Sequence, residues 1–417
     1  MRIGIKLTQK KVIKRLIDVL TVCIFSSFII FETYMWGKLV IFGGTLMVYL
    51  LHSLFLDAKS FKIRIDPYQK RFGVFILFCF FSIVWAINRS AALTMSMTLL
   101  QLFVLFTMLY VHYVDNSDVW DLIHIVLWSS YAISIYTIMF YGLGNLMNAS
   151  QAEANRLGND FTNINTVGML SALGLLIQAD EWIYSKKIKF RDLLCIPLIA
   201  VLAASQSRKA IMFLGVGIIV DYLLKVRKDK NKIVSFFKLL LFAALGIAAV
   251  IAISKMEMFA GISKRMEGLF AMLTGQGKID SSTFKRKQMI VYGIDWWKNR
   301  PVLGYGIGCP RILNQAILGF NAYLHNNYVE LLVALGLIGT ILYYSIYVWL
   351  LYRFWKMRDV YPRYSNFAVL WIFLILAMDY GMVSYYSKEH CFYVMALFIM
   401  ERHLRRMIKS QKRGNEV

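Results

Sequence analysis

The chain has 417 residues, of which 59% are hydrophobic and 17% charged, against about 45–50% and about 25% in an ordinary soluble protein. A mean hydropathy of +0.56 requires apolar side chains to face lipid as well as each other, which excludes a soluble globular domain. The apolar runs are continuous rather than alternating, which disfavours a transmembrane barrel. The 47 Lys+Arg against 24 Asp+Glu give a net charge of +23. These bases cluster in short stretches between apolar runs, the positive-inside pattern of a membrane protein, and no nucleic-acid partner is expected.

Runs of span length occur near 16–35, 37–56, 72–87, 91–114, 122–143, 166–184, 193–206, 210–225, 239–254, 326–352, 366–383 and 389–401. They predict an all-α polytopic membrane protein of about twelve transmembrane helices, with one large extracytoplasmic loop. The basic N-terminal head followed by an apolar run without a small-x-small cleavage site reads as an uncleaved first span. With both termini cytoplasmic, the inner stretches carry 31 of the 47 Lys+Arg. The stretch 193–225 is flanked by basic segments on both sides, so it must be a hairpin whose tip, Ser205-Gln206-Ser207-Arg208-Lys209, faces outward. The same reasoning makes 366–401 a hairpin with Tyr386-Ser387-Lys388-Glu389 at its tip. Two outer connections remain: about 144–165, and the much longer 255–325. The second opens on an apolar stripe of helical period from Met256 to Leu273, expected to lie flat on the outer leaflet. A helix capped by Ser281 or Ser282 then runs to Asn299. No repeat or low-complexity linker divides the chain, so residues 1–417 are read as one integral membrane domain whose loop 255–325 carries part of the active site.

The five cysteines show no CxxC spacing and imply neither a disulfide framework nor a zinc site. His52, His112 and His124 lie in apolar runs and His403 in the basic tail, where a packed or interfacial role suffices. His390 lies near an outer helix end. His325 ends the long outer loop immediately before Asn326-Asn327-Tyr328-Val329-Glu330, where an asparagine can cap the next helix. An imidazole at that boundary is suited to moving a proton near neutrality. Arg208, at a hairpin tip between two short apolar arms, is costly near lipid unless it snorkels or holds an anion. Lys285-Arg286-Lys287, near a helix start, forms a second outer cationic cluster that favours an anion. Gly304-Tyr305-Gly306-Ile307-Gly308 lacks the Lys-Ser/Thr and the preceding strand of a nucleotide loop and is read as a tight turn. No HExxH, GxSxG or DxD pattern is present.

Several stretches, in order, resemble the O-antigen ligase and polysaccharide polymerase superfamily of bacterial GT-C-type membrane glycosyltransferases. They are Arg156-Leu-Gly-Asn-Asp-Phe-Thr-Asn-Ile-Asn165, Ser205-Gln-Ser-Arg-Lys-Ala210, Arg265-Met-Glu, Asp280-Ser-Ser-Thr-Phe-Lys-Arg286, Arg300-Pro-Val-Leu-Gly-Tyr-Gly306, and His325-Asn-Asn-Tyr-Val-Glu-Leu-Leu-Val-Ala-Leu-Gly-Leu-Ile-Gly339. Together they cover about 150–350; Asn163-Ile-Asn165 departs from the Asn-Pro-Asn expected of the family. The resemblance implies a catalytic set of Arg208, Arg286 and His325. Arg156, Asn163, Asn165, Arg265, Tyr305, Asn326 and Glu330 are expected to bind substrate. It implies an undecaprenyl-diphosphate-linked glycan donor, a glycan or lipid-linked acceptor, and inverting transfer at the outer face of the bacterial cytoplasmic membrane, with no metal or other cofactor. Polymerisation of repeat units is expected, with ligation to lipid A-core or another acceptor as the alternative. Two other readings stay open: a lipid-linked glycan flippase, and a metal-dependent enzyme built on Glu32 in the first outer hairpin.

Overall fold

A computed structural model describes residues 7–32, 34–56, 65–151, 157, 160–185, 190–226, 234, 237, 281–319 and 321–414. Among these, secondary structure is helical, with no strand. In chain order the α-helices are α1 (Leu7–Ile30), α2 (Met35–Leu51), α3 (Pro67–Phe81), α4 (Arg89–Asn116), α5 (Asp121–Tyr141), α6 (Leu143–Gln151), α7 (Ile164–Ser185), α8 (Cys195–Ser205), α9 (Arg208–Val226), α10 (Ser281–Asn299), α11 (Pro310–Leu318), α12 (Asn327–Met357), α13 (Pro362–Asp379) and α14 (Lys388–Gly414). Among the described residues, five helical stretches are long and apolar enough to cross a membrane: Met35–Leu56, Pro67–Val84, Arg89–Asn116, Asp121–Tyr141 and Asn327–Met357. The expected span 239–254 and the flat stripe from Met256 to Leu273 lie outside the described residues.

The chain forms two compact units. The first comprises 1–10, 45–119 and 279–417, and the second 11–44 and 120–278. In the second, α7 packs against α5, α8 and α9. Short polar contacts tie these helices together: Ser134 to Ser171 at 3.1 Å, and Tyr131 donating to Gln178. In the first unit α12 is the central element, packing on α3, α10, α13 and α14, while α4 packs on α3 and α14.

α12 is not one continuous helix. Gly336 has φ 63° and ψ −164°, a region essentially reserved for glycine, and it divides α12 into a nine-residue arm and a long one. The long arm, 337–357, rises about 31 Å and is sufficient to cross a bilayer alone. Continuous helix would bond the amides of 337 and 338 to the carbonyls of 333 and 334. The break frees all four groups, and the Arg300–Gly306 segment takes every one of them. Tyr305 N–H donates to Val333 O at 2.8 Å and Gly306 N–H to Ala334 O at 2.8 Å, while Leu337 N–H donates to Pro301 O at 2.9 Å and Ile338 N–H to Val302 O at 3.4 Å. The other side of this segment is fixed to the α3–α4 connection. Ile87 N–H donates to Tyr305 O at 3.0 Å, Trp85 Nε1 to Leu303 O at 2.9 Å, and Ile307 N–H to Ser82 Oγ at 3.1 Å. The glycine-rich turn expected from sequence is thus a wedge that completes the hydrogen bonding of a broken helix, as backbone polar groups near hydrocarbon require.

Candidate active site

His325 stands at the junction between the 300–325 loop and α12, with φ 54°, a left-handed backbone that a β-carbon disfavours. The flanking residues enforce it. On one side the buried Glu330 carboxylate accepts the Leu324 N–H at 2.8 Å. On the other, Asn326 caps α12 by accepting the Val329 N–H at 3.0 Å, and its amide donates to Tyr380 O at 3.2 Å. Asn326 and Glu330 are each 3% exposed. Both are expected to bind substrate; within the fold they make these bonds on either side of His325. The imidazole itself is half-buried beside the Tyr323 ring, centroids 4.4 Å apart.

Behind Asn326 lies a polar hub that the sequence reading did not single out. Asn327 donates to Asp379 and to Tyr344, both at 3.0 Å, and its carbonyl oxygen accepts the Ser384 N–H at 3.0 Å. Asp379 also accepts from Tyr344 at 3.0 Å and from Ser384 Oγ at 2.6 Å. The hub anchors the first turn of α12 to the α13–α14 connection, and so fixes the position of Tyr380, the partner of Asn326. A usable signal was present: a carboxylate at the end of an apolar run is expensive unless it has partners, and that flags a position worth attention.

α10 packs against the short arm of α12. Arg286, Met289, Gly293 and Trp296 are spaced by three, four and three residues and so share one helix face. Met289 and Trp296 are buried with Leu324, Val329 and Val333. At Gly293 a β-carbon would come within 2.6 Å of Val329 Cγ1 and 3.0 Å of Leu324 Cδ1, so only glycine permits this closeness of α10 to the short arm of α12. Arg286 lies about 10 Å further along that face and is half-buried, whereas Lys285 and Lys287 are exposed. The Arg300 guanidinium covers the Tyr305 ring at 4.8 Å.

In the second unit a turn at Gln206 and Ser207 joins α8 to α9, and both helices pack on α7. Gln206 has φ 48° and its side-chain amide donates to Ala149 O at 2.6 Å. Ser205 Oγ donates to Leu202 O at 2.7 Å and accepts the Ser207 N–H at 3.3 Å. The tip rests on the first turns of α7, where a β-carbon on Gly168 would sit 2.3 Å from Ser205 Oγ. Asn163 starts α7 by accepting from the backbone and side-chain N–H groups of Asn165 at 3.0 and 3.1 Å. Half-buried Arg208 is the first residue of α9 and directly follows the turn that rests on α7. Glu32 accepts from Thr162 Oγ1 at 2.6 Å. Arg156 and Arg265 lie outside the described residues, as does Asp280.

Residues 193–344 match the family model described as O-antigen ligase. The match falls within the 150–350 stretch in which the motifs resemble that family. It begins just before α8 and ends within the long arm of α12, so it contains Arg208, Arg286, Tyr305, His325, Asn326 and Glu330; Asn163 and Asn165 precede it. No curated protein matches the chain.

Proposed function

We propose that the chain polymerises undecaprenyl-diphosphate-linked oligosaccharide repeats at the outer face of the bacterial cytoplasmic membrane. It does so as one integral domain of about twelve spans with both termini cytoplasmic. What carries the reading is His325, held in a left-handed backbone by Glu330 and Asn326 inside the ligase-family segment, at the mouth of a membrane-crossing helix. In the proposed step, His325 takes the proton of the acceptor hydroxyl as its oxygen bonds the anomeric carbon of the donor. The bond from that carbon to the phosphate oxygen breaks, and its electron pair leaves on undecaprenyl diphosphate. One displacement inverts the anomeric centre. Arg208 and Arg286 hold the diphosphate and stabilise the charge that develops on it. The likeness to the family, rather than a distance, joins Arg208 to the other two. Arg156, Asn163, Asn165, Arg265 and Tyr305 remain proposed contacts of the glycan or its lipid carrier.

Purified protein given lipid-linked repeat units alone, in EDTA, is expected to produce a ladder of products. Donor that stays unextended until lipid A-core is added would make the protein a ligase, and a requirement restored by Mg²⁺ would favour chemistry at Glu32. Arg208→Ala and Arg286→Ala should each weaken donor binding by about ten- to a hundredfold, the loss of a charge-assisted contact worth about 1.5–3 kcal/mol. Unchanged affinity in both would remove the diphosphate site. A broken helix is also a feature of transporters, but at Gly336 the freed backbone groups are satisfied by the protein itself, which leaves the break no ligand atoms to hold.

A further inference from the structure

α3 and the long arm of α12 pack side by side, and an open cleft of about 410 Å³ is lined by Lys70, Arg71 and Val74 from the one and Leu342, Ser345 and Trp349 from the other. Its polarity is graded. The Arg71 guanidinium lies 4.9 Å over the Trp349 ring, which puts the two cations and the indole at one end. Val74, a turn further along α3, and Leu342, about 10 Å back along α12, make the other end apolar. The nearby carboxylates are taken: Asp66 pairs with Arg402 and Glu401 with Arg353. Among the described residues neither Lys70 nor Arg71 has an ion-pair partner.

The depth of the cleft follows from its walls. Both helices are apolar and long enough to cross a bilayer. Just beyond Trp349, Tyr352 and Trp355 are more than half exposed, with Lys356 4.5 Å over the first ring and Arg358 3.6 Å over the second. Exposed amphipathic aromatics beside cations mark the boundary between water and hydrocarbon. The cationic mouth therefore lies at headgroup level and the apolar end within the hydrocarbon. A phospholipid with a net negative headgroup has the same gradient in the same orientation, and basic pockets between membrane helices suit such headgroups.

We propose that this cleft holds one anionic glycerophospholipid of the cytoplasmic leaflet, its phosphate between Lys70 and Arg71 and an acyl chain along Val74 and Leu342. The assignment to that leaflet rests on the threading proposed above, in which the basic stretch 57–71 is cytoplasmic. The test is native mass spectrometry of the full-length protein released from nanodiscs containing equal phosphatidylglycerol and phosphatidylcholine. Wild type should retain phosphatidylglycerol selectively. Lys70→Gln should reduce that retention about fivefold, and Lys70→Gln with Arg71→Gln about 25-fold. Lys70 is exposed, so the single variant carries the test if the double variant fails to insert. Equal retention of the two lipids by wild type, unchanged retention by Lys70→Gln, or a polyprenyl phosphate in place of phosphatidylglycerol would each overturn the proposal. Lys70→Cys should react with an impermeant maleimide only after the membrane is permeabilised, and labelling of intact cells would overturn the leaflet assignment. Ladder formation by wild type is read independently, so an empty cleft beside an intact ladder condemns the cleft alone.

Discussion

His325→Ala is expected to reduce transfer by about 10²–10⁴-fold, the range for loss of a general base, while the protein inserts normally and still binds donor. Packing supports the separation of the two effects. The backbone at 325 is held through Glu330 on Leu324 and through Asn326 on Tyr380, and none of these bonds uses the imidazole. An alanine can therefore occupy the same loop, with a modest cost for a non-glycine residue at positive φ that the histidine already bears. Single-turnover rates with donor affinity measured in parallel would check this. A well-inserted His325→Ala protein with near-normal turnover would remove the histidine from the mechanism. Glu330→Gln makes a useful companion: it retains an acceptor for the Leu324 amide, so it should lose far less activity than Glu330→Ala, which leaves that buried N–H without its partner.

The largest effect on stability is expected at Gly336. A β-carbon there would lie 2.2 Å from the carbonyl oxygen of Val302 and 2.5 Å from Leu303 N. Both obstacles are backbone, held in place by the four hydrogen bonds that fill the helix break, so neither can rotate aside. Gly336→Ala combines a backbone conformation costing about 1–3 kcal/mol with overpacking of similar size, and should destabilise by about 2–6 kcal/mol in all. Thermal unfolding of detergent-solubilised protein would measure it. Gly215→Ala is the control, since nothing lies within 4 Å of its added methyl, and an alanine in a helix interior is neutral or stabilising. If both variants melt like wild type, the wedge of 300–306 is not what holds the break open.

The hydrogen-bonding role of the 300–306 segment illustrates where one-dimensional reading stops. Continuous apolar runs announced a helical membrane protein, because a chain in hydrocarbon must satisfy its own backbone. The basic flanks of 193–225 announced a turn within that stretch, because bases resist translocation. The turn at Gln206 and the cap at Asn326 were legible for local reasons: a span too short to cross twice in comfort, and an asparagine just ahead of an apolar run. Arg300-Pro-Val-Leu-Gly-Tyr-Gly306 and Ala334-Leu-Gly336 lie about thirty residues apart, and nothing in either motif says that the amides of one replace the lost bonds of the other. In sequence Gly336 passes for an ordinary glycine in a membrane helix. Asn326 and Glu330 are read as contacts of a substrate from the resemblance of their motif, which says nothing of their bonds within the fold. Their actual partners, Tyr380 O and Leu324 N–H, are backbone atoms, and backbone atoms carry no mark in the sequence. The composition and periodicity of this chain thus determined its helices, through the solvation of each segment taken alone. Tertiary structure decided how His325 is held and where α12 breaks, because both depend on backbone groups from distant segments meeting at hydrogen-bond distance.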